Sequence, residues 1–147
     1  MPIWTREISL ETVNERCKGS LIGHLGIEVI EIGDDHIRAR MPVDARTRQP
    51  AGVLHGGASV TLAETLASWA ATFAADSSKH HCVGLEINAN HVRAVSSGHV
   101  IGTARPVHLG RSTHIWEVRI TNEEDKLVCI SRVTMAVLDK HNRYGGA

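Results

Sequence analysis

Aromatic residues are scarce: three tryptophans, one tyrosine and one phenylalanine make up 3% of the 147 residues. That is too few for the stacking platforms on which single-stranded nucleic acids are read. A surplus of charge is missing too. Lysine and arginine total 16, aspartate and glutamate total 16, and the formal net charge is zero. A nucleic-acid-binding domain is clearly basic, so no nucleic-acid partner is expected. Cysteine is sparse: Cys17, Cys82 and Cys129 lie far apart and are odd in number, so neither a disulfide framework nor a CxxC zinc pattern can be drawn. No apolar run reaches the length of a membrane span, because Glu64 and several threonines interrupt the only candidate. The first residues, Met-Pro-Ile-Trp-Thr-Arg-Glu-Ile, carry acid and base early and have no apolar h-region. They do not read as a signal peptide, and a reducing cytoplasm is the expectation.

Familiar chemical motifs are absent as well. There is no GxSxG elbow, P-loop, GxGxxG or HExxH. The ten histidines are scattered, and only His80 and His81 are adjacent. No metal and no other cofactor is expected.

What is present centres on residues 50–75. The stretch up to Gly56 reads as a loop, and Gly57 to Ala75 as a helix. Leu62, Ala63, Leu66, Ala67, Trp69, Ala70, Phe73 and Ala74 would bury most of its circumference. Thr61, Glu64, Thr65, Ser68 and Thr72 fall on one narrow stripe, spaced for a single helix face. Glu64 is its only charge, where a solvated stripe of that length normally carries several. The spacing predicts a mostly buried helix presenting one carboxylate to a cleft.

Around that helix the chain reads simply. Ser9 caps a short helix to Cys17, and Ser20 to Leu25 is a further turn or short helix. Gly26–Ile32 and His36–Val43 form a hairpin about Gly33 and its aspartates. After a turn at 76–79 come four strands: Val83–Val95, His99–Leu109 with a bend near Pro106, Thr113–Thr121, and Lys126–Leu138. In Thr113–Thr121, Ile115, Val118 and Ile120 are set against Thr113, Glu117 and Arg119, with Trp116 breaking the pattern. One long apolar helix followed by four antiparallel strands predicts an α+β fold, a curved antiparallel sheet wrapped around the helix. Residues 1–147 make one domain, with 139–147 expected to be a flexible tail.

The chemistry on offer is a carboxylate base beside an anion-binding helix start. Glycines at a helix start allow close approach, and free N–H groups there favour developing negative charge. Glu64 would be the base, the Gly56 and Gly57 amides the anion donors, and Gln49, His55 and Ser68 their polar companions. Burial in an apolar cleft would suit Glu64 to base catalysis near neutrality. Together these groups suggest attack on a carbonyl. His91 sits mid-strand among polar neighbours, and Arg46, Arg48, Arg93 and Arg111 offer positive charge for phosphates.

Gln49-Pro50, Gly52-Val-Leu-His-Gly-Gly-Ala-Ser59 and Leu62-Ala-Glu64 resemble the hotdog-fold acyl-CoA thioesterases. Gly84-Leu-Glu-Ile-Asn-Ala-Asn-His-Val-Arg93 and Pro106-Val-His-Leu-Gly110 look like them too. The resemblance covers nearly the whole chain. It is strongest to the 1,4-dihydroxy-2-naphthoyl-CoA thioesterases of menaquinone synthesis and to their sister group, the proofreading thioesterases of enterobactin synthesis. It implies that Glu64 is base or nucleophile and that the Gly56 amide polarises the thioester carbonyl, with Gln49 and His55 beside it. Ser68 would assist the attacking water, and His91 would line the substrate site. It implies an acyl-CoA substrate, no metal, and homotetramers built from dimers. Ala51 stands where the relatives have Phe, and Trp69 where they have a small residue; both would lie near the acyl pocket.

Two other readings remain open at this level. Hotdog dehydratases and hydratases carry a catalytic histidine in a different local motif, and His55 directly before the glycines favours hydrolysis. A non-catalytic acyl-binding dimer has no need for an ionisable group beside an anion hole. Gly56 and Glu64, eight residues apart, would stand about 12 Å apart along one helix. One helix can hardly supply both to one carbonyl, so the site is expected to be shared between two chains.

Overall fold

A computed structural model describes residues 1–141. The helices are α1 (Leu10–Cys17), α2 (Leu21–His24) and α3 (Gly56–Ala74); the strands are β1 (Glu28–Ile32), β2 (Ile37–Pro42), β3 (His80–His91), β4 (His99–Leu109), β5 (Thr113–Thr121) and β6 (Leu127–Asp139). The strands form one antiparallel sheet in the order β1-β2-β4-β5-β6-β3. It wraps α3, which touches every strand from β2 to β6. The expected α+β hotdog architecture is the one found. Asp139 closes β6, so the expected tail loses its first residue to the sheet; 142–147 lie outside the described residues.

The helix seats deeply because its sheet-facing side chains are apolar and its neighbours give way. Leu62, Ala63, Leu66, Ala67, Ala70 and Ala71 are fully buried. A Cβ on Gly102 of β4 would stand 2.7 Å from Leu66 Cδ1, so that glycine lets α3 approach the sheet. Burying each leucine is worth about 1.5–3 kcal/mol, and Leu66→Ala would cost roughly 2–5 kcal/mol. Trp69 and Ala74, expected in the core, are only half-buried, because they face the side of α3 away from the sheet centre. At the far end of α3 the N-terminal segment serves as a strap. The Thr5 hydroxyl lies 3.0 Å from the Phe73 carbonyl and 2.9 Å from that of Ala75, so it caps acceptors that a helix end leaves open.

Three expectations need correction. In β5 the inward face is His114, Trp116, Val118 and Ile120. Trp116 therefore keeps the two-residue period and Ile115 breaks it, being paired with Thr134 on the outer face. β3 starts at His80 and stops at His91, three or four residues earlier at each end than expected. His80 is drawn in by Asp139 across the pair, 3.1 Å from its Nδ1. Beyond His91 the chain turns to brace the loop before α3, with the Val95 carbonyl accepting the Leu54 N–H. Finally, α3 begins at Gly56, with His55 as its N-cap. The bend near Pro106 is confirmed: the β4–β5 register shifts between Pro106 and His108.

Candidate active site

The loop before α3 is built on Thr47. Its buried hydroxyl donates to the Pro42 carbonyl at 2.7 Å and accepts the Asp44 N–H at 3.1 Å. Arg48 and Leu54 then bridge, the Gly52 N–H closes a turn on the Gln49 carbonyl, and Gly52 takes φ +84°. Pro50 and Gly52 are the residues such a turn needs, a signal readable in the sequence. This hairpin delivers His55 to the helix start with its N–H on the Thr47 carbonyl.

His55 Nδ1 accepts the Gly57 N–H at 2.7 Å. Gly57 is therefore not available to a substrate, which corrects the expected pair of donor amides. Among the described residues the Gly56 N–H donates to nothing, and it remains as the free donor at the positive end of α3. Against Gly56 lies the His91 ring: a Cβ there would stand 3.0 Å from Nε2. Gln49, Gly56, Ser59, His91 and Arg93 line one groove of about 450 Å³. Arg93 is anchored through Nε to the Leu127 carbonyl, at 3.2 Å.

Glu64 opens to a different groove. Leu21, Ile22, Thr61, Glu64, Thr65, Ser68, Trp69 and Thr72 line a space of about 460 Å³ on the outer side of α3. The stripe read from the sequence is thus one wall of a groove. Thr61 and Thr72 return their hydroxyls to the Gly57 and Ser68 carbonyls. Glu64, Thr65 and Ser68 make no side-chain bond among the described residues and face the groove. The apolar burial expected of Glu64 is not met in the single chain, where it is exposed. The carboxylate rests against β3 at Gly84.

The two grooves share no residue. β3 runs antiparallel to α3 and spans both, with His91 beside Gly56 and Gly84 beside Glu64. Ala51 is exposed in the 49–52 turn, and Arg111 is exposed in the β4–β5 turn; neither lines either groove of this chain. His55 is exposed at the mouth of the loop. The α2 residues Leu21 and Ile22 were not read as site residues from sequence; nothing local marks them. Among the described residues no three His, Cys, Asp or Glu side chains gather to hold a metal ion, and no helix is long and apolar enough to cross a membrane.

Residues 51–129, which carry the loop, α3 and the strands up to the start of β6, match the family model described as Thioesterase superfamily. The chain belongs to that superfamily. It is 48% identical over 136 residues to the 1,4-dihydroxy-2-naphthoyl-CoA hydrolase of Escherichia coli, covering 92% of this chain and 99% of that one. It is likewise 48% identical over 136 residues to the proofreading thioesterase EntH of Cronobacter turicensis, with 92% and 98% covered. The crystal structure of a thioesterase from Haemophilus influenzae superposes with a TM-score of 0.93 at 47% identity, covering 97% of this chain and 99% of that one. With family, fold and full-length relatives agreeing, this is a thioester hydrolase of the hotdog type.

Proposed function

We propose that this thioesterase hydrolyses an aromatic or medium-length acyl-CoA, 1,4-dihydroxy-2-naphthoyl-CoA among the candidates, at a site completed by two chains. The observation that carries the proposal is the separation of the grooves: one holds the free Gly56 amide, the other the free Glu64 carboxylate. A thioester carbonyl needs an anion donor and a base each within about 3 Å or one water.

β3 supplies the means of joining them. It is an edge strand of 12 residues with Leu85 exposed on it and Val92 exposed just beyond its end. The unpaired backbone groups along a long edge strand are a template for pairing with another chain. Antiparallel pairing of two copies of β3, about a two-fold axis midway between Gly84 and His91, lays the His91 end of one beside the Gly84 end of the other. Each site then takes Gln49, His55, Gly56 and His91 from one chain and Glu64 and Ser68 from its partner. Assembly of two such dimers into a tetramer follows the family resemblance.

In the reaction, the Gly56 N–H polarises the carbonyl oxygen, with His55 and Gln49 holding the thioester against it. Glu64 either takes a proton from water held by Ser68 or attacks the carbonyl carbon itself, giving an anhydride that water opens. In both routes the C–S bond breaks with its electron pair on sulfur, the carbon gains a water oxygen, and a proton reaches the thiolate. The acyl group lies in the groove lined by Leu21, Ile22 and Trp69, whose volume of about 460 Å³ falls within the roughly 300–1,000 Å³ usual for small-molecule sites. Arg93 and Arg111 are assigned to the carrier's phosphates.

The test is Glu64→Gln, read by thiol release from a panel of aryl-, short- and long-chain acyl-CoAs. The dimer is retained and kcat falls at least ~10²-fold, the scale of a positioned base. Near-normal turnover by that variant would remove Glu64 from the reaction.

A further inference from the structure

Glu64 is a long side chain on an exposed face, with no hydrogen bond or ion pair among the described residues to fix its carboxylate. Catalysis by a base depends on its position, and a displacement of about 1 Å can cost ~10²-fold. Within its own chain, something other than a polar partner defines where this carboxylate stands. The contact that does so is steric. A Cβ on Gly84 would lie 2.8 Å from Glu64 Oε1 and 3.9 Å from its Cδ, with Met135 Sδ also at 3.9 Å. The carboxylate rests on the bare Cα of a strand residue, in the gap a side chain would fill.

Gly84 is not held to glycine by a left-handed backbone. Its φ is not among the positive values, which belong to Gly19, Gly26, Gly52 and Gly98. Glycine within a strand is unfavourable, since it adds chain entropy and packs nothing. The strand is also irregular here: the β3–β6 register shifts between Gly84 and Glu86, and Leu85 turns out to 64% exposure. Bulges of this kind re-aim neighbouring groups and are frequent beside active sites.

We propose that Gly84 is a positioning residue of the hydrolytic site, its missing side chain being the seat that places the Glu64 carboxylate. The inference rests on the reading of Glu64 as the reacting carboxylate. The atom a new Cβ would strike is the free end of a flexible side chain, so the fold yields cheaply while the carboxylate moves. Gly84→Ala is therefore a lesion of catalysis and not of folding.

The experiment measures kcat, KM, thermal midpoint and dimer mass for Gly84→Ala, Glu64→Asp, Glu64→Gln and the two double variants. Gly84→Ala lowers kcat by roughly 10–100-fold with KM within about two-fold, and leaves the melting temperature and the dimer unchanged. Glu64→Asp withdraws the carboxylate by one methylene, so its cost is smaller in the Gly84→Ala background than alone. In the Glu64→Gln background Gly84→Ala changes nothing further. A wild-type kcat for Gly84→Ala, additive losses in the double variants, or a Gly84→Ala chain that fails to fold or to dimerise would each overturn the inference. If Glu64→Gln is itself fully active, the reading of Glu64 fails instead, and the two failures are told apart.

Discussion

His55 Nδ1 accepts the N–H of Gly57, at 2.7 Å, and so caps α3 with a side chain that also stands beside the free Gly56 amide. One ring thereby does two jobs: it closes a helix end and it selects which glycine amide stays open. His55→Ala removes the cap and should destabilise the protein by about 0.5–2 kcal/mol. His55→Asn restores an acceptor at the cap and should recover most of the melting temperature, but not the activity. Equal melting temperatures for the two variants would show that the cap contributes nothing.

Among the described residues, Trp69 alone lines both the Glu64 groove and a second space of about 270 Å³, bounded by Ile8, Val13, Arg16 and Phe73. It stacks on Phe73 with ring centroids 5.3 Å apart. Trp69→Ala should join the two spaces. Long-chain acyl thioesters then gain on aryl thioesters by roughly 10-fold in kcat/KM, the scale of pocket-volume changes. An unchanged substrate profile would mean that the tryptophan does not bound the acyl group.

His114 is 4% exposed on the inner face of β5, and burial, with a smaller contribution from His108, holds its imidazole below the ordinary value of 6.5. The unfolded chain therefore binds the proton more readily than the folded one. Stability is complete above pH 6.5 and declines as pH falls from there toward the folded value. Thermal melts between pH 7.5 and pH 5 should show that decline, and it should be shallower in His114→Gln. Parallel curves for the two proteins would assign the decline to other groups.

Much of this fold is legible in the sequence, because its signals are strong and local. The apolar circumference of α3 and the turn glycines and aspartates fix the order helix–β–β–helix–β–β–β–β. Trp116 turns inward, against expectation, because Ile115 and Val118, three residues apart in a strand, lie on opposite faces. The ends of β3 were missed because they depend on Asp139 and Leu54, distant in the chain. Within the site, the stripe through Glu64 and the glycine helix start could be read from spacing alone. The capture of the Gly57 amide by His55 and the seat at Gly84 could not, since both depend on where side chains end. Nor could the exposure of Glu64 in the single chain.

The proposed site draws its base and its anion donor from different chains, and mixing two inactive variants decides whether it does. Glu64→Ala and His55→Ala are each purified, combined in equal amounts, and allowed to exchange subunits. In a mixed dimer one site collects both lesions and the other none. Random pairing should restore about a quarter of wild-type activity, by the symmetry of an isologous dimer, while the mixture before exchange stays inactive. Exchange demonstrated by mass spectrometry with no return of activity would contradict the shared site.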